Sequence, residues 1–182
     1  MKKTYTVILC FFLVSCSVST LDKSTKKDAN AQLAKIIEQH EVFYQQSSPF
    51  NKPLAGDNNA KLPDLSAENL ESLHQQRLRI FQALNALDKN KLSKDNQINW
   101  SVLTYSLKNQ LDSYTSKAHY MPLTAESGFH VWIANIASRV NFKSVQDYQD
   151  YISRLKAIPH YFQQQTHWME KGIQAGITQP KV

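Results

Sequence analysis

The sequence predicts an all-α protein, an irregular bundle of about six helices. Two observations carry that expectation. Apolar residues recur at spacings of three and four through most of the chain, and no stretch sustains the strict apolar–polar alternation of a half-buried strand. The joints between periodic stretches hold small polar residues and prolines, which cap or end helices. Composition agrees: across 182 residues, 42% hydrophobic, 20% charged, two Cys and four Gly exclude collagen-like, disulfide-framework and strongly disordered classes. One domain is the natural expectation for this length.

The chain opens with an export signal. Met1-Lys2-Lys3 is a short positive segment, and Tyr5 to Val14 is an apolar run broken only by Thr6. Such a run is too short to span a hydrocarbon core, which takes roughly 20 helical residues, and suits the apolar segment of a signal peptide. A buried N-terminal helix or strand is the alternative. Leu13-Val14-Ser15-Cys16 resembles a bacterial lipobox. That resemblance implies a signal peptide over residues 1–15, cleavage between Ser15 and Cys16, and diacylglycerol attachment at Cys16 with acylation of the new amine, including palmitate. Several acyl chains give stable anchoring where one gives only marginal binding. An ordinary signal peptide with a free Cys is the alternative.

Ser17, a residue other than Asp after the Cys, favours the outer membrane by resemblance to lipoprotein sorting rules. The expected location is the bacterial cell envelope, lipid-anchored and facing the periplasm. Cleavage removes Lys2, Lys3 and Cys10, leaving one Cys, no intrachain disulfide, and a net charge of +4 in place of +6. So weak a positive excess, on an exported chain, argues against a nucleic-acid partner. Residues 16–30, polar and without periodicity, read as the lipidated Cys and a flexible tether. Its Lys23, Lys26 and Lys27 either touch anionic headgroups or are simply solvated.

Residues 31–182 carry the helices. The first runs from about Asp28 to Gln46, with Leu33, Ile36, Ile37, Val42, Phe43 and Tyr44 near a 3.6 period. A punctuated loop follows, marked by Pro49, Pro53, Gly56 and Pro63. Ser66 caps the second helix, Glu68 suits its positive end, and Leu65 is placed to staple against Leu70. Leu70, Leu73, Ile80, Phe81, Leu84 and Leu87 form its stripe. The third starts at the Ser93 cap and carries Trp100, Leu103, Leu107, Leu111 and Tyr114. After Met121-Pro122, a shorter helix is expected over Glu126–Ser138. The fifth begins at Ser144 with a capping-box-like Ser144-Val145-Gln146-Asp147. Pro159 fits the first turn of a sixth, which Gly172 or Gly176 ends.

The residues that suggest chemistry have plainer explanations. His40-Glu41 begins the zinc-protease pattern His-Glu-x-x-His, but its fifth position is Tyr44, so the second ligand is missing. His160 and His167 share a helix face roughly 10 Å apart along the axis, too far to bind one metal together. His74, His119 and His130 show no ligand-like spacing. Asp147 and Asp150 resemble a carboxylate pair, yet both lie where a helix dipole already favours negative charge. Trp100, Trp132, Tyr148, Tyr151, Tyr161 and Trp168 sit at helical spacings, as core packing or as the wall of a ligand cleft. No phosphate-binding glycine loop and no Gly-x-Ser-x-Gly elbow is present. The expected catalytic and metal residues in this chain are therefore none.

The segment Ser144 to Leu155, leading into Ile158-Pro159 and followed by Gly172, Gly176 and Pro180-Lys181-Val182, resembles the "DY…Y…RL…IP…G…G…P+V" pattern of the domain-of-unknown-function 885 family. Leu62-Pro63-Asp64-Leu65-Ser66, Leu92-Ser93 before Trp100, and Met121-Pro122-Leu123 agree with it. The resemblance spans roughly Ala31 to Val182. It implies a largely helical, often lipid-anchored bacterial protein, similar to zinc-dependent peptidases, whose His-Glu motif and further His ligands lie downstream of the pattern found here. No residue of this chain matches that motif. The resemblance therefore implies the N-terminal part of a metallopeptidase-like protein, a fragment inactive alone, with zinc and a peptide-like substrate only where the C-terminal part is present. The alternative is a finished, non-catalytic envelope lipoprotein acting as a helical binding module.

Overall fold

Three helix starts are written by serine side chains. The Oγ atoms of Ser66, Ser93 and Ser144 accept from the backbone N–H groups of Asn69, Asn96 and Asp147, each at 3.3 Å. At Ser144 the capping box is complete, because the Asp147 carboxylate accepts from the Ser144 N–H in return. The computed structural model describes residues 17–52, 60–124 and 126–180. Ser15 and Cys16, the expected cleavage and lipidation residues, lie outside the described residues.

The helices are α1 (Ser17–Ser47), α2 (Ala67–Asn85), α3 (Lys94–Thr115), α4 (Phe129–Ala134) and α5 (Val145–Gln174). Among the described residues there is no strand, only an isolated bridge between Leu123 and Gly128. The protein is all-α, as its periodicity requires. Two apolar clusters organise it. Ala29, Leu33 and Ile36 of α1 meet Leu84, Leu92, Leu103 and Leu107 of α2, α3 and the turn between them. Leu33, Leu84 and Leu107 are fully buried, each contributing about 2 kcal/mol of apolar transfer. The second cluster joins Ile133 and Ile136 to Tyr161 of α5, with Phe50, Leu62 and Leu65 packed against it.

Three expectations change. The stretch expected to be a tether is helical from Ser17 onwards. Once Ala29, Leu33 and Ile36 are docked, extending the helix towards the N-terminus needs no new nucleus. Asn30 is already engaged there, its Oδ1 accepting from the Ser93 N–H and the Asn96 amide. The expected Glu126–Ser138 helix shrinks to α4 and a 3-10 turn at Ile136–Arg139. Between them Asn135 leaves helical geometry while its side-chain amide donates to the Val131 carbonyl, a side-chain bond that competes with the helical ladder. Leu65 packs into the second cluster, and its backbone is held by α5 through Gln164 and Trp168.

The third change is the largest. The fifth and sixth expected helices are one, with Pro159 inside α5. The buried residues Asp150, Arg154, Tyr161, Gln165, Trp168 and Gly172 form one stripe that passes Pro159 without a break, while Pro159 itself is exposed. The missing N–H of Pro159 therefore falls on the solvent side, and packing on the other side holds both halves in line. Replacing Pro159 with Ala should stabilise the protein by about 1–2 kcal/mol. The gain in helix propensity is partly offset by a freer unfolded chain. A urea titration checks this, and a destabilised Pro159→Ala variant would show that the ring is needed for packing.

At the far end, Gly176 rather than Gly172 terminates α5. It adopts φ 70°, with its N–H donating to Ile173 and the Ile177 N–H donating to Gly172 at 2.8 Å. These two bonds make a Schellman cap. Gly172 has a different task. A Cβ there would lie 3.0 Å from the Tyr120 carbonyl oxygen and 2.9 Å from that of Ile177. Its bareness lets α5 approach the Ala118–Tyr120 turn that follows α3.

Candidate functional site

Of the residues singled out by sequence, His74, His119 and Trp168 come together and the others do not converge. His40 stacks on Tyr44 one turn along α1, and burial lowers its pKa. His160 and His167 are exposed on α5. Asp147 and Asp150 part company: Asp147 completes the Ser144 capping box, its carboxyl held below the usual range first by the Lys143 N–H. Asp150 is buried and accepts from Gln146 at 2.7 Å. Trp100 donates to the Leu84 carbonyl and Trp168 to that of Leu65, both at 2.8 Å, so both indoles serve packing. Tyr148 is exposed and stacks on Phe142. Among the described residues no three His, Cys, Asp or Glu side chains come together to hold a metal ion.

What the tertiary structure does assemble is a line of rings from α5 to α2. The Trp168 and His119 ring centroids are 4.7 Å apart, edge to face. His119 stacks on Tyr114 at 5.4 Å, and Tyr114 stacks on His74 at 4.3 Å. The Tyr114 hydroxyl donates to Glu71 at 2.8 Å. Gly172, one turn along α5 from Trp168, lies against Tyr120, whose ring stacks on Trp168 at 5.5 Å.

Beside that line, α2, α3 and the Ala118–Tyr120 turn enclose a cleft of about 310 Å³. Leu70, Arg77, Asn109, Gln110, Tyr114 and His119 line it, together with Ser113. The Arg77 Nε donates to the Gln110 Oε1 at 2.9 Å, and its guanidinium lies 5.6 Å above the Phe43 ring of α1. Burial lowers the Arg77 pKa. A larger groove of about 580 Å³ runs between α1 and α2, but Glu38 and Arg79 both line it, so it favours neither sign of charge. Sequence reasoning passed over Arg77, although a signal was there. It occupies the gap between Leu73 and Ile80 in the apolar stripe of the second helix.

Burial, with the nearby Lys117 charge adding to it, lowers the His119 pKa from its ordinary 6.5. The native protein thus binds fewer protons here than the unfolded chain. This contribution is fully present above about pH 6.5 and is lost as the pH falls from there through the lowered native pKa. The urea midpoint should drop between about pH 7 and pH 5, and His119→Gln should flatten part of the drop. His40 shifts the same way and keeps the remainder. An unchanged pH profile in His119→Gln would show that the ring is charged at no cost.

No curated protein and no solved structure matches this chain. A family profile does, over residues 49–182, and the family is described as "Bacterial protein of unknown function (DUF885)". The match takes in the Ser66, Ser93 and Ser144 helix starts, the cleft and the whole of α5. The chain, all-α and built on that matched stretch, belongs to the DUF885 family of bacterial proteins.

Proposed function

We propose that this chain is the membrane-tethered, helical N-terminal part of a zinc-dependent hydrolase-like lipoprotein, and that it is catalytically inactive by itself. The lipobox-like Leu13-Val14-Ser15-Cys16 supports the tether, with the bilayer as partner through acylated Cys16. The observation that carries the rest is apolar surface on helices that already have a buried side. On α3, Ile98, Val102 and Tyr105 are 63%, 63% and 71% exposed at spacings of four and three. On α5, Val145, Tyr148, Ile152 and Leu155 repeat the pattern. Such faces suit the wall of a larger body, in which further helices cover them.

Among the described residues no three ligand-type side chains meet. In this proposal any zinc site is carried by sequence outside this chain, and no catalytic step is assigned to the chain's own residues. The test uses the native membrane fraction and an antibody against residues 28–46. A product several-fold larger than this chain, with peptide hydrolysis abolished by a chelator, supports the reading. A product of this length with no such activity favours the second reading, a helical binding module in the envelope. The Arg77 cleft is the observation on that side. Stoichiometric zinc binding by the 182-residue chain would overturn the assignment of the metal site elsewhere.

A further inference from the structure

We infer that the cleft between α2 and α3 is a binding site for a small organic carboxylate with an apolar body, anchored by Arg77. The inference is independent of whether the whole protein is an enzyme.

Arg77 is the one formally charged side chain that lines the cleft at neutral pH among the described residues. It lies half-buried on the inward side of α2, where its side chain reaches across to Gln110 of α3. The Arg77 Nε–H donates to Gln110, and its guanidinium lies over the Phe43 face. No carboxylate of the described residues reaches the guanidinium. Its two terminal nitrogens remain as a fork, the geometry that pairs bidentately with a carboxylate.

That fork is held in place before any ligand arrives. Gln110 turns its amide oxygen to Arg77 because its nitrogen donates to Ser106 at 3.2 Å. The Phe43 ring lies against the guanidinium from the α1 side. A surface arginine would instead sample many rotamers and lose entropy on binding.

The remaining walls define the rest of the ligand. Leu70 and the rings of Tyr114 and His119 offer apolar surface. The Tyr114 hydroxyl is committed to Glu71, so it is the ring that this residue offers the cleft. Glu71 is exposed, and its opposing charge is screened by water and salt. Asn109 and Ser113, one turn apart on α3, supply neutral polar groups near the anchor. At about 310 Å³ the cleft sits at the small end of ligand pockets, which run from roughly 300 to 1,000 Å³. An amino-acid-sized body fits, and a folded peptide does not. One guanidinium among apolar walls suits a single negative charge better than the doubly charged phosphate group.

The experiment follows the side-chain Nε–Hε signals of the arginines at 77, 79, 139 and 154 in the full chain held in detergent. N-acetylphenylalanine, its neutral amide and inorganic phosphate are titrated separately. The acid should move the Arg77 signal and bind at least about tenfold more tightly than the amide, the margin expected of a charge-assisted bidentate pair. Arg77→Gln should bring acid and amide level. Equal binding of acid and amide, movement confined to other arginines, or displacement of the acid by phosphate at equal concentration would overturn the inference. So would a folded Arg77→Gln variant that keeps the preference. If Arg77→Gln does not fold, the acid–amide comparison and the Arg77 signal in the unsubstituted protein decide.

Discussion

Arg154→Ala is expected to destabilise the protein by about 3 kcal/mol, with Arg154→Met costing about half as much. Arg154 is fully buried on α5, and its Nε–H donates to the Lys61 carbonyl at 3.0 Å, across 93 residues of chain. This bond pins the segment that leads into α2. Burial lowers the guanidinium pKa to about 10, a measure of how poorly the charge is solvated there. The two variants separate the terms. Met keeps most of the stem volume and leaves the Lys61 carbonyl without its donor, while Ala adds a cavity. Urea unfolding of both variants checks this. If Ala costs less than about 1 kcal/mol, water replaces the side chain and Arg154 does not hold the loop.

Leu107→Ala should cost about 3 kcal/mol, the middle of the range for a fully buried leucine. It lies at the centre of the α1–α2–α3 cluster with no exposed surface. The neighbouring Val102, 63% exposed on the same helix, provides the contrast. Val102→Ala should stay within about 0.5 kcal/mol in this chain. In a longer product whose further helices cover α3, Val102→Ala should become costly while Leu107→Ala stays the same. The pair therefore measures stability and also asks whether the α3 face is used. Equal costs in the short chain would mean that Val102 is already buried against a partner, such as a second copy.

Local signals were legible because their physics is local. Ser66, Ser93 and Ser144 each satisfy an N–H three residues on, so sequence spacing alone locates them. The Leu103, Leu107 and Leu111 stripe needed only the helical period. Pro159 misled for the complementary reason. Its local preference for a helix start is outweighed by a buried stripe running from Asp150 to Gly172. Asn135 misled in the other direction, since its side chain ends α4 sooner than the apolar pattern suggests.

The candidate site was the least legible part. Arg77 meets Gln110 across 33 residues, and Trp168 meets Leu65 across 103. Neither partner has a fixed spacing from the other, so no motif announces the cleft. The sequence by itself determined the all-α class, the helix starts at Ser66, Ser93 and Ser144, and the family, since caps, periodicity and family pattern are written in neighbouring residues. It also carries the export and lipidation signal as an expectation. Only the tertiary structure decided that α5 is one helix, that Gly172 admits Tyr120, and that Arg77 faces a cleft. Those outcomes depend on which distant surfaces exclude water together, and burial is a property of the packed chain rather than of any segment.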